Sequence, residues 1–160
     1  MNDPRAVVIG IGNPYRRDDG IGPAVADEIS RLGLPGVRVT LSDGEPAGLL
    51  DAWTGIRLVV VVDAVLCEPP EPGRIWRSVA CGLPHGNAVS SHGLGIPETL
   101  LLGQALDRLP GRLVIIAVEA ASLGTGPGLS APVAAALPEA VAAVLAEVTA
   151  DAGNPRSDVR

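Results

Sequence analysis

Two acidic residues and one histidine stand where the strands predicted for this chain end. Asp63 directly follows the apolar run at 58–62, Asp19 lies in the polar loop after the first predicted strand, and His92 precedes a predicted helix. The carboxyl ends of parallel strands share one edge of a sheet, so we expect these side chains to lie near each other. Two carboxylates and an imidazole form an O, O, N donor set, which suits a borderline divalent metal such as nickel or zinc and leaves coordination positions open.

Each of these residues also has a structural interpretation. Asp63 could satisfy backbone N–H groups in a turn, Asp19 could cap the following helix, and an isolated histidine is often structural. The sequence has no HExxH pattern of a permanently bound zinc and no GxSxG elbow. It also has no Cys–His pair with a clear third partner, so serine and cysteine hydrolases are disfavoured.

Glycine-rich loops suggest a different class of ligand. Gly10-Ile11-Gly12 resembles the start of a dinucleotide-binding fingerprint, but Tyr15 stands at the third glycine position. The acidic pair Asp18-Asp19 would also repel a pyrophosphate. Alternatively, Gly10 and Gly12 allow a tight turn and close packing of a helix. A nucleotide-binding doubly wound module that uses this loop and 124–128 stays open as an alternative.

The elements that must position these residues alternate between strand and helix. Strands are predicted at 5–12, 37–41, 57–63, 74–79 and 113–118, and helices at 21–34, 47–53, 94–109 and 131–150, the last interrupted or restarted at Pro138. This order predicts a three-layer α/β/α fold with a twisted, mostly parallel sheet of about five strands, in which 74–79 is an edge strand. We expect one domain over 1–150 and a flexible C-terminal tail over 151–160.

The composition excludes several classes of protein. The chain has 160 residues, is 47% hydrophobic and carries a net charge of −6, which excludes a disordered chain and argues against a nucleic-acid partner. The N-terminus does not resemble a signal peptide, and no uninterrupted apolar run could span a bilayer. We expect a cytoplasmic protein without membrane insertion. Cys67 and Cys81 are interpreted as free thiols, with redox or metal roles as the alternative. The oligomeric state is not indicated.

A longer signature surrounds the first candidate acid. The stretch GIGNPYRRDDGIG at 10–22 resembles the N-terminal signature of the nickel–iron hydrogenase maturation endopeptidases. The resemblance continues through Asp43-Gly44 with Ala47-Gly48, Val62-Asp63-Ala64-Val65, Ser91-His92-Gly93-Leu94 and Gly128-Leu129-Ser130, and it covers residues 5 to about 150. One departure is that the family commonly reads Asp-Gly-Gly-Thr where this chain has Asp43-Gly44-Glu45-Pro46.

The resemblance implies an α/β fold, with a twisted sheet between helices, and an endopeptidase that trims the C-terminus of a hydrogenase large subunit. It implies that Asp19, Asp63 and His92 bind nickel already inserted into the precursor, so the metal comes with the protein substrate. Asp43 matches a further acidic position near the site, which makes Asp19, Asp43 and Asp63 the candidate catalytic residues. The nickel could act as a Lewis acid, or a carboxylate could act as general base, and both remain open. A non-catalytic nickel-binding maturation factor is a further alternative.

Overall fold

The computed structural model describes residues 3–79, 89–90 and 95–153. In chain order the elements are β1 (Ala6–Ile11), α1 (Ile21–Arg31), β2 (Val37–Ser42), α2 (Pro46–Trp53), β3 (Leu58–Leu66), β4 (Ile75–Val79), β5 (Val89–Ser90), α3 (Gly95–Ala105), β6 (Arg112–Glu119) and α4 (Ala131–Ala152). A 3-10 turn, Arg17–Gly20, leads directly into α1.

The strands form one sheet in the order β2-β1-β3-β6-β4. β2, β1, β3 and β6 run parallel to their neighbours, whereas β4 pairs antiparallel with β6 at the edge. The two-residue β5 pairs antiparallel with the end of β3. Helices α1 and α4 pack together on one face of the sheet, and α2 and α3 pack together on the other. The predicted three-layer, mostly parallel α/β fold is therefore confirmed, including the edge position of β4.

The core is aliphatic and is divided by the sheet into two layers. Successive residues of β3 alternate between them, so that Val60 and Val62 contact the α1/α4 layer while Val59 and Val61 contact the α2/α3 layer. Covered faces on both sides explain why this strand is a continuous apolar run. Trp53 fills the α2/α3 layer and is fully buried. Full burial of a valine, leucine or isoleucine side chain in these layers stabilises the fold by roughly 1.5–3 kcal/mol.

Some element bounds differ from those predicted. α3 was predicted to reach residue 109 but ends at Ala105, because Asp107 adopts a left-handed backbone conformation (φ 54°) and the Arg108 N–H donates to the Gly103 carbonyl at 2.7 Å. These are the features of a helix terminus that ends in a left-handed residue. β3 instead runs three residues beyond Asp63, because its partner β6 continues to Glu119.

α4 is one uninterrupted helix of 22 residues, so the predicted break at Pro138 is wrong. Pro138 lies on the exposed side of the helix. The buried side continues through Ala136, Ala140 and Val144 at helical spacing. Packing of that stripe against the sheet therefore outweighs the backbone hydrogen bond that proline cannot donate.

α4 is also the one helix in the described ranges that is long and apolar enough to cross a membrane, with a mean hydropathy of 1.6 over its best window. A search for uninterrupted apolar runs does not find this helix, because Pro138 and the acids Glu139 and Glu147 interrupt it. In the fold, Ala140 and Val144 are buried in the core, and Glu147 forms ion pairs with Arg77 of β4 and Arg112 of β6. α4 is thus packed as a layer of the domain.

The end of α4 is tied to the opposite end of the sheet from the candidate site. Asp151 accepts from Arg5, just before β1, at 3.3 Å and from Arg57, just before β3, at 3.1 Å. Asp151 therefore belongs to the folded helix, which extends to Ala152 and not to 150 as predicted. The rest of the predicted tail, 154–160, lies outside the described residues.

Candidate active site at the switch point of the sheet

The order of the strands creates a crevice between the carboxyl ends of β1 and β3. From β1 the chain moves outward to β2, whereas β3 continues on the other side toward β6. Open α/β sheets bind ligands at such a topological switch point. The register pairs Gly10 with Val62, which puts Asp63 level with Ile11, the last residue of β1. Asp19 lies in the turn that follows β1, and this turn contacts β3.

Glycines in the signature bring the turn against the strand ends. A Cβ atom on Gly10 would lie 2.5 Å from the Gly22 carbonyl oxygen, and one on Gly22 would lie 2.7 Å from that of Val62. Gly12 has φ +144°, and a Cβ there would overlap the carbonyl oxygen of Asp19. These glycines therefore allow the first turn of α1 to pack directly on β1 and β3, as the packing alternative predicted.

Asp19 is fully buried and its carboxylate has defined partners. Its Oδ2 accepts a hydrogen bond from the Asn13 backbone N–H at 2.8 Å, and the Arg16 guanidinium lies 3.6 Å away. The side-chain oxygen Oδ1 of Asn13 in turn accepts a hydrogen bond from the Tyr15 N–H, which closes a short turn at residues 13–15. Asp19 does not cap α1: the residue before that helix is Gly20, and no side chain caps it. The helix-cap interpretation of Asp19 is therefore wrong.

Asp63 is 2% exposed and lies inside β3, between β1 and β6. Its Oδ1 accepts a hydrogen bond from the N–H of the next residue, Ala64, at 2.8 Å. It is therefore not a turn residue. Burying a carboxylate is costly unless the charge is compensated. The position of Asp63 at the switch point of the sheet makes it a candidate functional group.

His92 lies outside the described residues, and so do its neighbours 91–94. The residues before them are described: Ser90 in β5 pairs with Val65, two residues after Asp63. The chain that leads to His92 is thus attached to the same strand as Asp63. Among residues 3–79, 89–90 and 95–153, no group of three or more acidic, His or Cys side chains could hold a metal ion.

Asp43 follows β2 and is exposed. Its Oδ1 accepts from the Glu45 N–H at 3.0 Å, and Gly44 adopts φ +89°. Pro46 is the first residue of α2, a position that proline favours. The departure from the family pattern therefore starts α2 immediately after a tight turn and leaves Glu45 exposed. A catalytic role of Asp43 stays a prediction.

Asp18 is a buried acid whose role was not anticipated. It is fully buried and accepts hydrogen bonds from the N–H groups of Ala121 (2.8 Å), Ser122 (3.1 Å) and Ser130 (2.7 Å) and from the Ser130 hydroxyl (2.8 Å). Its partners lie more than a hundred residues further along the chain, so no local pattern indicates them. The only signal in the sequence is the doubled acid Asp18-Asp19.

The same contacts speak against the nucleotide-binding alternative. Asp18 accepts a hydrogen bond from the backbone N–H of Ser130, the residue before α4, so a carboxylate already lies at this helix N-terminus, where a phosphate would otherwise bind. In the glycine-rich loop, the Gly126 N–H donates to Tyr15 and the Gly124 N–H donates to the Ser122 hydroxyl. An anion would have to displace these internal acceptors.

A further buried acid, Glu119, ends β6 and holds the connection between β3 and β4. It accepts from the Trp76 indole N–H at 2.8 Å and from the Glu71 N–H at 3.0 Å. Burial, followed by the charge of Glu119 and a hydrogen bond to it, raises the pKa of the Cys67 thiol, while Arg74 opposes this. Cys67 is a free thiol, as predicted, and Cys81 lies outside the described residues.

Known proteins are similar to this chain in both sequence and fold. The family model of hydrogenase maturation proteases, HycI, matches residues 23–147. The hydrogenase 2 maturation protease of Escherichia coli is 27% identical over 146 residues, which cover 89% of each chain. The hydrogenase expression/formation protein HupD of Thiocapsa roseopersicina is 32% identical over 127 residues; these are 76% of this chain and 57% of HupD.

Solved structures agree with the fold described above. The hydrogenase maturating endopeptidase HybD from Escherichia coli superposes with a TM-score of 0.78 at 24% identity, covering 91% of this chain and 92% of HybD. The hydrogenase 2 maturation peptidase from a Thaumarchaeota archaeon gives a TM-score of 0.66 at 28% identity, covering 90% and 97% of the two chains. The family match spans well over half of the sequence, so this chain belongs to the hydrogenase maturation protease family.

Proposed function

We propose that this chain is an endopeptidase that removes a C-terminal peptide from the nickel-loaded large-subunit precursor of a nickel–iron hydrogenase. Membership of the family supports the class of reaction. The observation that carries the site is the position of Asp19 and Asp63, two acids at most 2% exposed, on either side of the switch-point crevice.

In this proposal Asp19, Asp63 and His92 bind the nickel of the precursor. The two carboxylates and the imidazole are ligands that nickel accepts, and open positions remain for groups of the precursor itself. The pairing of Ser90 with Val65 supports the inclusion of His92, because it attaches the preceding chain to the strand that carries Asp63.

The chemistry follows from the charges and hydrogen bonds of these residues. Nickel at the crevice would polarise a carbonyl or acidify water, and either effect would favour attack on an amide. Asp19 and Asp63 supply anionic oxygens to it, and the Asn13 N–H holds Asp19 in place. Asp43, an exposed acid at the end of β2, is the candidate general base that takes a proton from the attacking water and returns it to the leaving amine.

Use of the substrate's metal would also give the enzyme a checkpoint. A precursor without nickel lacks the group that Asp19 and Asp63 bind, so it is not held with its scissile bond at the crevice. Cleavage would then follow metal insertion and never precede it. We place this reaction in the cytoplasm, with the precursor as the partner and no role for nucleic acid.

The experiment that tests this function is mass spectrometry of the large subunit from cells that lack this protein. We expect the subunit to keep its C-terminal extension, and re-expression of the wild-type chain to restore the processed mass. A fully processed subunit in the deletion strain would contradict the proposal. A purified protein that binds nickel tightly but cuts no precursor would instead support the non-catalytic maturation factor.

A further inference from the structure

We infer that Asp18 is a positioning residue: it fixes the turn that carries Asp19 by attaching it to both ends of the loop 121–130. The role of Asp19 as a ligand rests on the proposed function, but the attachment itself does not. Asp18 has no ligand role in this inference. It acts only through its neighbour.

The carboxylate of Asp18 joins the two ends of the ten-residue loop 121–130. Ala121 and Ser122, directly after β6, donate their N–H groups to Asp18 Oδ2. Ser130, directly before α4, donates its N–H to Oδ1 and its hydroxyl to Oδ2. Hydrogen bonds to an ionised acceptor are shorter and stronger than neutral ones.

The same loop also forms backbone hydrogen bonds with the signature at 10–22. The Asp18 N–H donates to the Ser122 carbonyl at 3.0 Å, and the Arg17 N–H donates to the Gly126 carbonyl at 2.9 Å. In return the Gly126 N–H donates to Tyr15 at 2.8 Å. Backbone hydrogen bonds therefore attach residues 15–18 to the loop 121–130 at both ends of this segment. The buried side chain of Asp18 adds its own hydrogen bonds at the C-terminal end.

This attachment lies next to the candidate ligand. Asp18 and Asp19 are consecutive residues of the turn Arg17–Gly20, and both are fully buried. A shift of the Asp18 backbone therefore moves Asp19 by a similar distance. A functional constellation must hold its groups to within about 0.5 Å. The Asn13 N–H donates to Asp19 Oδ2, so the Asn13 amide reports where that carboxylate lies.

The test compares Asp18→Asn, Ser130→Ala and the control Asp27→Asn. Asp27 is an exposed acid of α1 that pairs with Arg31 across the helix surface. Asp18→Asn keeps the size of the side chain but replaces one accepting oxygen by an NH₂ group. That NH₂ group then faces a backbone N–H, and neither can accept a hydrogen bond from the other. Ser130→Ala removes one hydroxyl donor and leaves the backbone donors. The readouts are the Asn13 amide signal with its hydrogen-exchange protection by NMR, and kcat on nickel-loaded precursor.

We expect Asp18→Asn to shift the Asn13 amide, to reduce its protection and to lower kcat by about 10–100-fold, as for loss of an outer-shell partner of a metal ligand. Ser130→Ala should change the Asn13 amide and kcat in the same direction but by less. Asp27→Asn should change neither the amide nor kcat. An unchanged Asn13 amide and an unchanged kcat in a folded Asp18→Asn protein would overturn the inference and leave a role in stability alone.

The outcomes separate this inference from the proposed function. If the wild-type protein cuts no precursor, the function is wrong, while the Asn13 amide still decides whether Asp18 positions Asp19. If Asp18→Asn does not fold, Ser130→Ala carries the test, and an unaltered Asn13 amide in that variant would count against the inference.

Discussion

Buried carboxylates at one edge of the sheet divide into two kinds. Asp18 and Glu119 accept hydrogen bonds from backbone and indole N–H groups and thereby hold loops in place. Asp19 and Asp63 flank the switch-point crevice instead. All of these side chains are at most 2% exposed, so burial does not distinguish the two kinds, but their position relative to the crevice does.

Substitution of the two crevice acids should abolish activity without unfolding the protein. Asp63→Asn and Asp19→Asn keep the side-chain volume, but each removes a carboxylate that we propose as a metal ligand. We expect the rate of precursor cleavage to fall by more than about 100-fold, since even an outer-shell partner is typically worth 10–100-fold. The measurement is cleavage of nickel-loaded precursor by each variant, with circular dichroism as the check on folding.

Asp27→Asn is the matched control for these variants, because Asp27 is 62% exposed on α1, away from the crevice. It should cleave the precursor at the wild-type rate. Wild-type rates in both crevice variants would show that neither acid binds the metal of the substrate.

The Cys67 thiol should titrate above the usual thiol value of about 8.5, because burial and Glu119 raise its pKa. The raised pKa favours the protonated thiol in the folded state. Its contribution to stability is therefore present below pH 8.5 and is lost as the pH rises through the folded pKa. The rate of alkylation against pH, measured in a Cys81→Ser background, gives the midpoint, and Glu119→Gln should lower it. A midpoint at or below about 8.5 in the parent would contradict this account.

The sequence identified part of the site at the residue level. Asp63 was recognisable because it follows an apolar run typical of a buried parallel strand. The difference between Asp18 and Asp19 was not recognisable, because these two adjacent, identical side chains have different hydrogen-bond partners. Those partners include Ser130 and Asn13, and only the folded chain brings Ser130 near.

At the level of elements, the close approach of α1 to β1 and β3 sets the position of Asp19. We expect Gly22→Ala to destabilise the protein by about 1–3 kcal/mol, because its Cβ would meet backbone oxygens of Ile11 and Val62 that have no room to move. Cleavage should fall as well, since α1 and the preceding turn must shift. Chemical denaturation measures the change in stability.

Gly48→Ala is the comparison for that variant. Gly48 is also a helical glycine, but nothing lies within 4 Å of an added Cβ. Alanine there should stabilise the protein by about 0.5–1 kcal/mol through its better helix propensity. Equal effects of the two substitutions would refute the close-packing role of Gly22.

Hydrophobic periodicity predicted the existence of the main elements but not all of their ends. α3 ends just before Asp107, which adopts a left-handed backbone conformation. No glycine or proline stands at that position, so the sequence did not indicate the end of the helix there. α4 continues through Pro138 because the ring lies on the exposed side, and the sequence alone does not show which side of a helix faces the sheet. A local backbone turn therefore ends α3, whereas tertiary packing keeps α4 continuous.

For the whole molecule, the sequence predicted the three layers but not the order of the strands. Alternation of strands and helices is local information, whereas the order β2-β1-β3-β6-β4 depends on which strands pair across long stretches of chain. That order creates the crevice at β1 and β3. The link to hydrogenase maturation came from the signature at 10–22 and its continuation, which no argument from composition could supply.

The central claim is that the nickel of the substrate is what Asp19 and Asp63 recognise. The most direct measurement is the rate at which the purified protein shortens the large-subunit precursor in its nickel-loaded and nickel-free forms, followed by mass spectrometry. We predict cleavage of the loaded form and none of the nickel-free form. Cleavage of both forms at the same rate would contradict the account.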